Sequence, residues 1–178
     1  MMIDSEIRVV PRDLREGASA LTISQVEACI DGIKLPALLL NIIPEDGRSV
    51  WFDKGVEVEP VEENPIAGEK QRQTVFCLFG LNNGQDGILK NYLRLKGRID
   101  RDLLPIGDDG LDNAFVLDPR TGQVLFWHHE CEDGEGSPKA LTEVAPSLAA
   151  FLSALRPEQE FESVELKRGV KAVRLDMI

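Results

Sequence analysis

His128, His129, Glu130 and Cys131 stand in one run, and the two histidines are the only ones in the chain. Imidazole, carboxylate and thiolate together suggest zinc, which wants roughly three or four ligands. On an extended segment alternate residues share a face. Trp127, His129 and Cys131 would then point one way, and His128 and Glu130 the other. Each face supplies at most two ligands, and the sequence has no second Cys/His cluster. The run therefore reads as a strand end whose imidazoles hydrogen-bond adjacent loops.

The stretch Gly107-Asp108-Asp109-Gly110-Leu111-Asp112-Asn113 invites a calcium reading. A calcium loop places oxygen ligands at its first, third and fifth positions, glycine at the sixth and glutamate at the twelfth. Counted from Asp108, those later places fall on Gly110, Asn113 and Pro119, and the pattern fails. What remains is turn chemistry. Gly107, Gly110 and, further on, Gly122 supply backbone freedom, while Asp side chains and Asn113 bond local amides. No nucleophile elbow, phosphate-binding glycine loop or HExxH sequence occurs. No catalytic residue, metal or cofactor is assigned.

Three acidic clusters are more informative. Glu57, Glu59, Glu62 and Glu63 lie in a stretch without Lys or Arg. Asp108, Asp109 and Asp112 form a second cluster, and Glu130, Glu132, Asp133 and Glu135 a third. One reading is solvated loops that keep the chain soluble. The other is a negative surface that steers a basic protein partner into contact. Lys plus Arg number 20 against 31 Asp plus Glu, a net charge of −11. That balance opposes nucleic-acid binding and attachment to an anionic membrane, both of which need a basic footprint. The longest apolar stretch, Leu35–Ile43, is interrupted by Pro36 and Asn41 and falls well short of the roughly 20 residues of a membrane span. Three scattered cysteines (Cys29, Cys77, Cys131) and an N-terminus without a basic or apolar leader pattern fit a reducing cytoplasm. The oligomeric state is not legible.

The elements that must position these residues follow from periodicity. Residues 1–21 form an N-terminal arm with a short strand near Ile7–Val10. Ser24-Gln25-Val26-Glu27 has the form of a capping box, followed by a stripe of Val26, Cys29, Ile30 and Ile33 and a stop at Gly32. Leu35-Pro36 opens a second apolar helix through about Ile43. Val50–Phe52 and Val56–Glu59 read as strands, and Thr74–Phe79 as one continuous buried strand. Ile88, Leu89, Tyr92, Leu93 and Leu95 mark a helix closed by Gly97. Strands 103–106, 113–117 and 123–127 follow, the last two joined by the hairpin turn Asp118–Gly122. A strand near 140–144, a helix with Leu148, Phe151, Leu152 and Leu155, and a terminal hairpin over 161–175 complete the chain. At 178 residues this is one α+β domain, a mixed or antiparallel sheet with helices packed on it.

Leu103–Glu130, reading LLPIGDDGLDNAFVLDPRTGQVLFWHHE, resembles the central motif of the SUKH superfamily of Smi/Knr-type domains. The capped helix before Leu35-Pro36, Phe79-Gly80-Leu81, the helix carrying Tyr92, and Leu148–Leu152 agree with it in order. Glu45-Asp46-Gly47 departs from the Asn-Gly-Gly common after the family's Leu-Pro step. The resemblance spans about 22–155, so residues 22–178 are expected to form a SUKH-like domain with a C-terminal hairpin extension after about 156. It implies a binding domain without catalytic residues. Bacterial members look like immunity proteins that neutralise a cognate toxin, and fungal members like regulatory or scaffold modules with an endogenous partner.

Overall fold

A computed structural model describes residues 3–10, 12–64 and 71–159; the hairpin expected over 161–175 lies outside them. In chain order the elements are β1 (Val9–Val10), α1 (Ile23–Cys29), α2 (Ala37–Leu40), β2 (Trp51–Phe52), β3 (Val56–Val58), β4 (Gln73–Thr74), β5 (Cys77–Leu78), α3 (Ile88–Leu95), β6 (Leu104–Asp108), β7 (Ala114–Leu117), β8 (Val124–Trp127), a 3-10 turn (Pro138–Ala140), β9 (Leu141–Ala145), α4 (Leu148–Ala154) and β10 (Arg156–Pro157).

The hairpin turn does what its residues dictate. The Gly122 N–H donates to Asp118 O at 2.7 Å, and Gly122 takes a φ of 81°. β7 and β8 therefore pair antiparallel, Ala114 opposite Trp127 and Leu117 opposite Val124. They are the centre of a five-stranded sheet in the order β5-β6-β7-β8-β9. Two smaller sheets, β1-β2 and β10-β3-β4, complete the described strands, every pair antiparallel. The fold is α+β, as expected.

Alternation along β7 divides the interior. Phe115 and Leu117 face the larger core, with Val26, Ile30 and Leu39 from the first helices, Ile88 and Tyr92 from α3, and Phe151 from α4. Ala114 and Val116 face a smaller cluster with Leu95, Leu103, Trp127 and Ala140. Trp127 is fully buried, as its place in an apolar strand predicts, and its indole N–H donates to Glu135 O at 2.8 Å.

Four local expectations need correction. The capping box of α1 is Thr22 with Gln25, not Ser24 with Glu27. Glu27 instead accepts from Lys34 Nζ and from the Leu35 N–H, tying the helix to the Leu-Pro step. Cys29 is exposed rather than part of the buried stripe, and α2 ends at Leu40. The run Thr74–Phe79 is not one strand. The Val75 N–H donates to Val56 O, while the next N–H, of Phe76, donates to Asp108 O, so the chain passes from one sheet to the other between neighbouring residues.

Candidate functional site

Register brings two of the three candidate loops, 108–112 and 130–135, to one end of the large sheet. Cys77 pairs with Asp108, Asp108 with Ala114, and Ala114 with Trp127. Phe76, Asp109, Asn113 and His128 therefore all leave the sheet at that end.

A chain of polar side chains ties the loops together beneath the surface. Asn64 Nδ2 donates to Gln73 Oε1 at 3.1 Å, and Gln73 Nε2 donates to Asp109 Oδ2 at 3.3 Å. Asn113 Nδ2 donates to the same Asp109 oxygen at 2.8 Å. Asn113 Oδ1 accepts from the His129 backbone N–H at 3.1 Å and from the His129 ring at Nδ1 at 2.8 Å. Asp109, Asn113 and Gln73 are 5%, 3% and 6% exposed. Buried polar groups survive only when partnered, and here the partners come from all three acidic segments. The loop after β3, the turn after β6 and the loop after β8 are thus held to one another.

This geometry sorts the eleven acidic candidates. Asp109 is interior: its Oδ1 accepts the Leu111 N–H at 2.8 Å, its Oδ2 takes two amides, and it has no face for a partner. Glu57 is paired with Arg72 at 2.6 Å, Asp133 with Lys139 at 2.9 Å, and Glu135 with Arg98. The Arg98 guanidinium holds the Glu135 carboxyl below its ordinary range, chiefly by hydrogen bonding. Glu62 accepts the Glu143 N–H at 2.8 Å and so pins its loop to β9. Asp108 is half-buried; it accepts the Gly110 N–H and lies 3.7 Å from Cys77 Sγ. Burial is the main reason its carboxyl is pushed up to about 6. Burial likewise raises the Cys77 thiol, with the Asp108 charge adding to it. Glu59, Glu63, Asp112, Glu130 and Glu132 are exposed, and none forms an ion pair with Lys or Arg among the described residues. Arg94, half-buried, clamps the Asp112 carbonyl at 3.0 Å and fixes that turn.

The turn residues divide in the same way. Gly110 has a φ of 80°, and a Cβ there would stand 3.1 Å from the Phe76 ring. Gly107 is not a turn residue but lies inside β6, where a Cβ would come 2.5 Å from the Cys77 carbonyl oxygen. Its requirement is close backbone approach, not positive φ. Gly122 sits at its hairpin turn with a positive φ, while Asn113 bonds the Asp109 carboxylate and the distant His129 rather than a local amide.

Two residues at this end carried no acidic signal. Phe76 is 47% exposed and Leu111 is 72% exposed. Phe76 rests on Gly110 and meets Trp51 edge-on at 4.9 Å between ring centres. The Arg12 guanidinium lies over Trp51 at 3.8 Å from the ring centre. The sequence marks Phe76 only as one residue of an apolar run; alternation does not single it out, because Leu78 is buried along with Val75, Cys77 and Phe79. Leu111 carries no such signal. His128 and His129 sit beyond β8 with ring centres 6.4 Å apart, and no group of three or more His, Cys, Asp or Glu suited to a metal occurs among the described residues. At the opposite end of the sheet a groove of about 740 Å³ opens between the 118–122 turn, α4 and the Leu-Pro step. Its Lys34 and Arg120 are committed to Glu27 and Asp118, and of the candidates it includes only the turn residue Gly122, none of the acidic ones.

An antiparallel sheet with an LPIG strand, a Gly-Asp turn, a tight hairpin and helices packed on one face defines the class. The SMI1 / KNR4 family (SUKH-1) matches residues 17–154, and the chain belongs to that family. Membership supports a protein-binding domain. No curated protein and no solved structure matches the chain. No helix among the described residues is long and apolar enough to cross a membrane.

Proposed function

We propose that the chain is a non-enzymatic binding domain of the immunity type, which neutralises a cognate bacterial toxin in the cytoplasm by occupying its surface. One observation supports this reading: at one end of the sheet the 108–112 turn and the 130–135 loop present exposed carboxylates without a Lys or Arg partner among the described residues, beside exposed apolar side chains, on a scaffold held by a buried polar chain. A toxin that acts on nucleic acid needs a basic cleft, and a surface of this sign is steered to it and covers it. Neither catalysis nor a cofactor enters the mechanism; inhibition is steric and electrostatic. The net charge of −11 opposes nucleic acid or an anionic membrane as the partner.

The test is co-expression. The protein encoded beside this chain should arrest growth when expressed alone, and the chain should restore growth and co-purify with it. A neighbour whose toxicity is unchanged, together with a stable complex between the chain and an endogenous protein, would replace this reading with that of a regulatory or scaffold module.

A further inference from the structure

We propose that Phe76 and Leu111 are the apolar anchors of the docking surface, and that its occupant is a segment of a basic protein presenting arginine beside an apolar side chain. The proposal rests on the reading that the chain binds a basic protein; it adds where and by what chemistry.

Single exposed apolar side chains are ordinary; apolar side chains exposed together at one place mark contact sites. Leu111 stands at 72% exposure and Phe76 at 47%, both on the 109–112 turn or against it. The buried bonds of Asp109 and the Arg94 clamp fix that turn. A rigid apolar knob loses little freedom on binding, which is what an anchor requires. Around it, Asp112 and Glu130 leave the sheet side by side, because Asn113 is bonded to His129. Neither carboxylate has a Lys or Arg partner among the described residues, nor does Glu132.

The chemistry of the occupant is displayed by the chain itself. The guanidinium of Arg12 already lies on Trp51, whose ring abuts Phe76. A planar cation therefore fits this seat, and the exposed carboxylates of the 108–112 turn and the 130–135 loop favour a basic segment as its source. A second copy of the chain is a poor occupant, because it would bring the same negative rim against this one.

The experiment uses the full chain and, as probe, the purified product of the neighbouring gene, with binding followed by surface plasmon resonance. Leu111→Ser should weaken affinity by about tenfold or more, mainly through faster dissociation. Phe76→Ser should do the same, and Leu111→Ser guards against its packing on Trp51 being the cause. Leu93→Ser, at an exposed apolar site on α3, should leave affinity unchanged. Arg12→Ala should strengthen binding by roughly twofold to fivefold, by vacating the seat. If Leu111→Ser binds as wild type, or Leu93→Ser is equally damaging, the anchor is elsewhere while the binding function stands. If Arg12→Ala weakens binding tenfold, the occupant is not cationic at that seat. A concentration-dependent dimer abolished by Leu111→Ser would make the occupant a second copy and overturn the proposal. Failure of the wild-type chain to bind the probe would remove the functional reading, and this surface with it.

Discussion

Asp109→Ala tests whether the buried polar chain holds the site together. The wild-type carboxylate accepts from Leu111 N–H, Asn113 Nδ2 and Gln73 Nε2. Truncation leaves the two side-chain amides buried without that acceptor, while water can reach the N–H of the turn. Orphaning a buried donor costs about 1–3 kcal/mol. Two of them give roughly 3 kcal/mol, with the longer Gln73 bond contributing less. For a chain of this size each kcal/mol moves Tm by about 2–4 °C, so Asp109→Ala should lower it by about 6–12 °C. Circular dichroism melts and urea titrations at pH 7 should agree on this. Asn113→Ala shares a partner with Asp109, so the double variant should lose less than the sum of the singles. A loss below about 1 kcal/mol, or strict additivity, would refute the view that these residues act as one connected unit.

Asp108 gives a pH test. Its carboxyl is raised from 3.8 to about 6, chiefly by burial. The folded state then binds its proton more tightly than the unfolded state does. This contribution to stability is full below about pH 4, declines as pH rises, and is lost above about pH 6. Asp108→Asn should therefore match wild type near pH 4 and be more stable at pH 7, by about 1–2 kcal/mol in urea titrations; equal differences at both pH values would contradict the assignment. Gly110→Ala combines a φ of 80° with a Cβ 3.1 Å from the Phe76 ring, and should lower stability by about 2 kcal/mol in the same assay. Glu130→Lys with Glu132→Lys should change stability by less than about 0.5 kcal/mol, because both side chains are exposed, yet slow association with a basic partner severalfold.

Much of the frame was legible in local chemistry. Asp118-Pro119-Arg120-Thr121-Gly122 specifies a turn, and apolar runs on either side specify its strands, so β7 and β8 follow from the residues of Ala114–Trp127 alone. Thr22-x-x-Gln25 and Ser24-x-x-Glu27 have the same form, so local sequence alone puts the start of α1 two residues late. What decides between them is non-local: Glu27 is needed by Lys34 and Leu35. The split of Thr74–Phe79 was hidden for a similar reason. An apolar run reports burial, but the change of hydrogen-bond partner from Val56 to Asp108 depends on where two other strands lie.

The site was less readable than the fold. Charge counting finds Glu57, Asp109, Asp133 and Glu135 as readily as Glu59 or Glu132, because composition does not show which carboxylates a folded neighbour consumes. Arg72, Lys139 and Arg98 lie 15, 6 and 37 residues from the glutamates and aspartate they pair with. Asp109 reads locally as one more turn acid and becomes interior only when Gln73, 36 residues away, arrives beside it.

The central claim is that this acidic, apolar-centred end of the sheet meets a basic protein. Its most direct test is the association rate of the chain with the neighbouring gene's product, measured by stopped flow at low and at high salt. The rate should fall steeply with salt, and a charge-reversed chain carrying Asp112→Lys, Glu130→Lys and Glu132→Lys should associate severalfold more slowly at low salt and lose most of that dependence. A rate indifferent to salt and to these reversals would contradict the account.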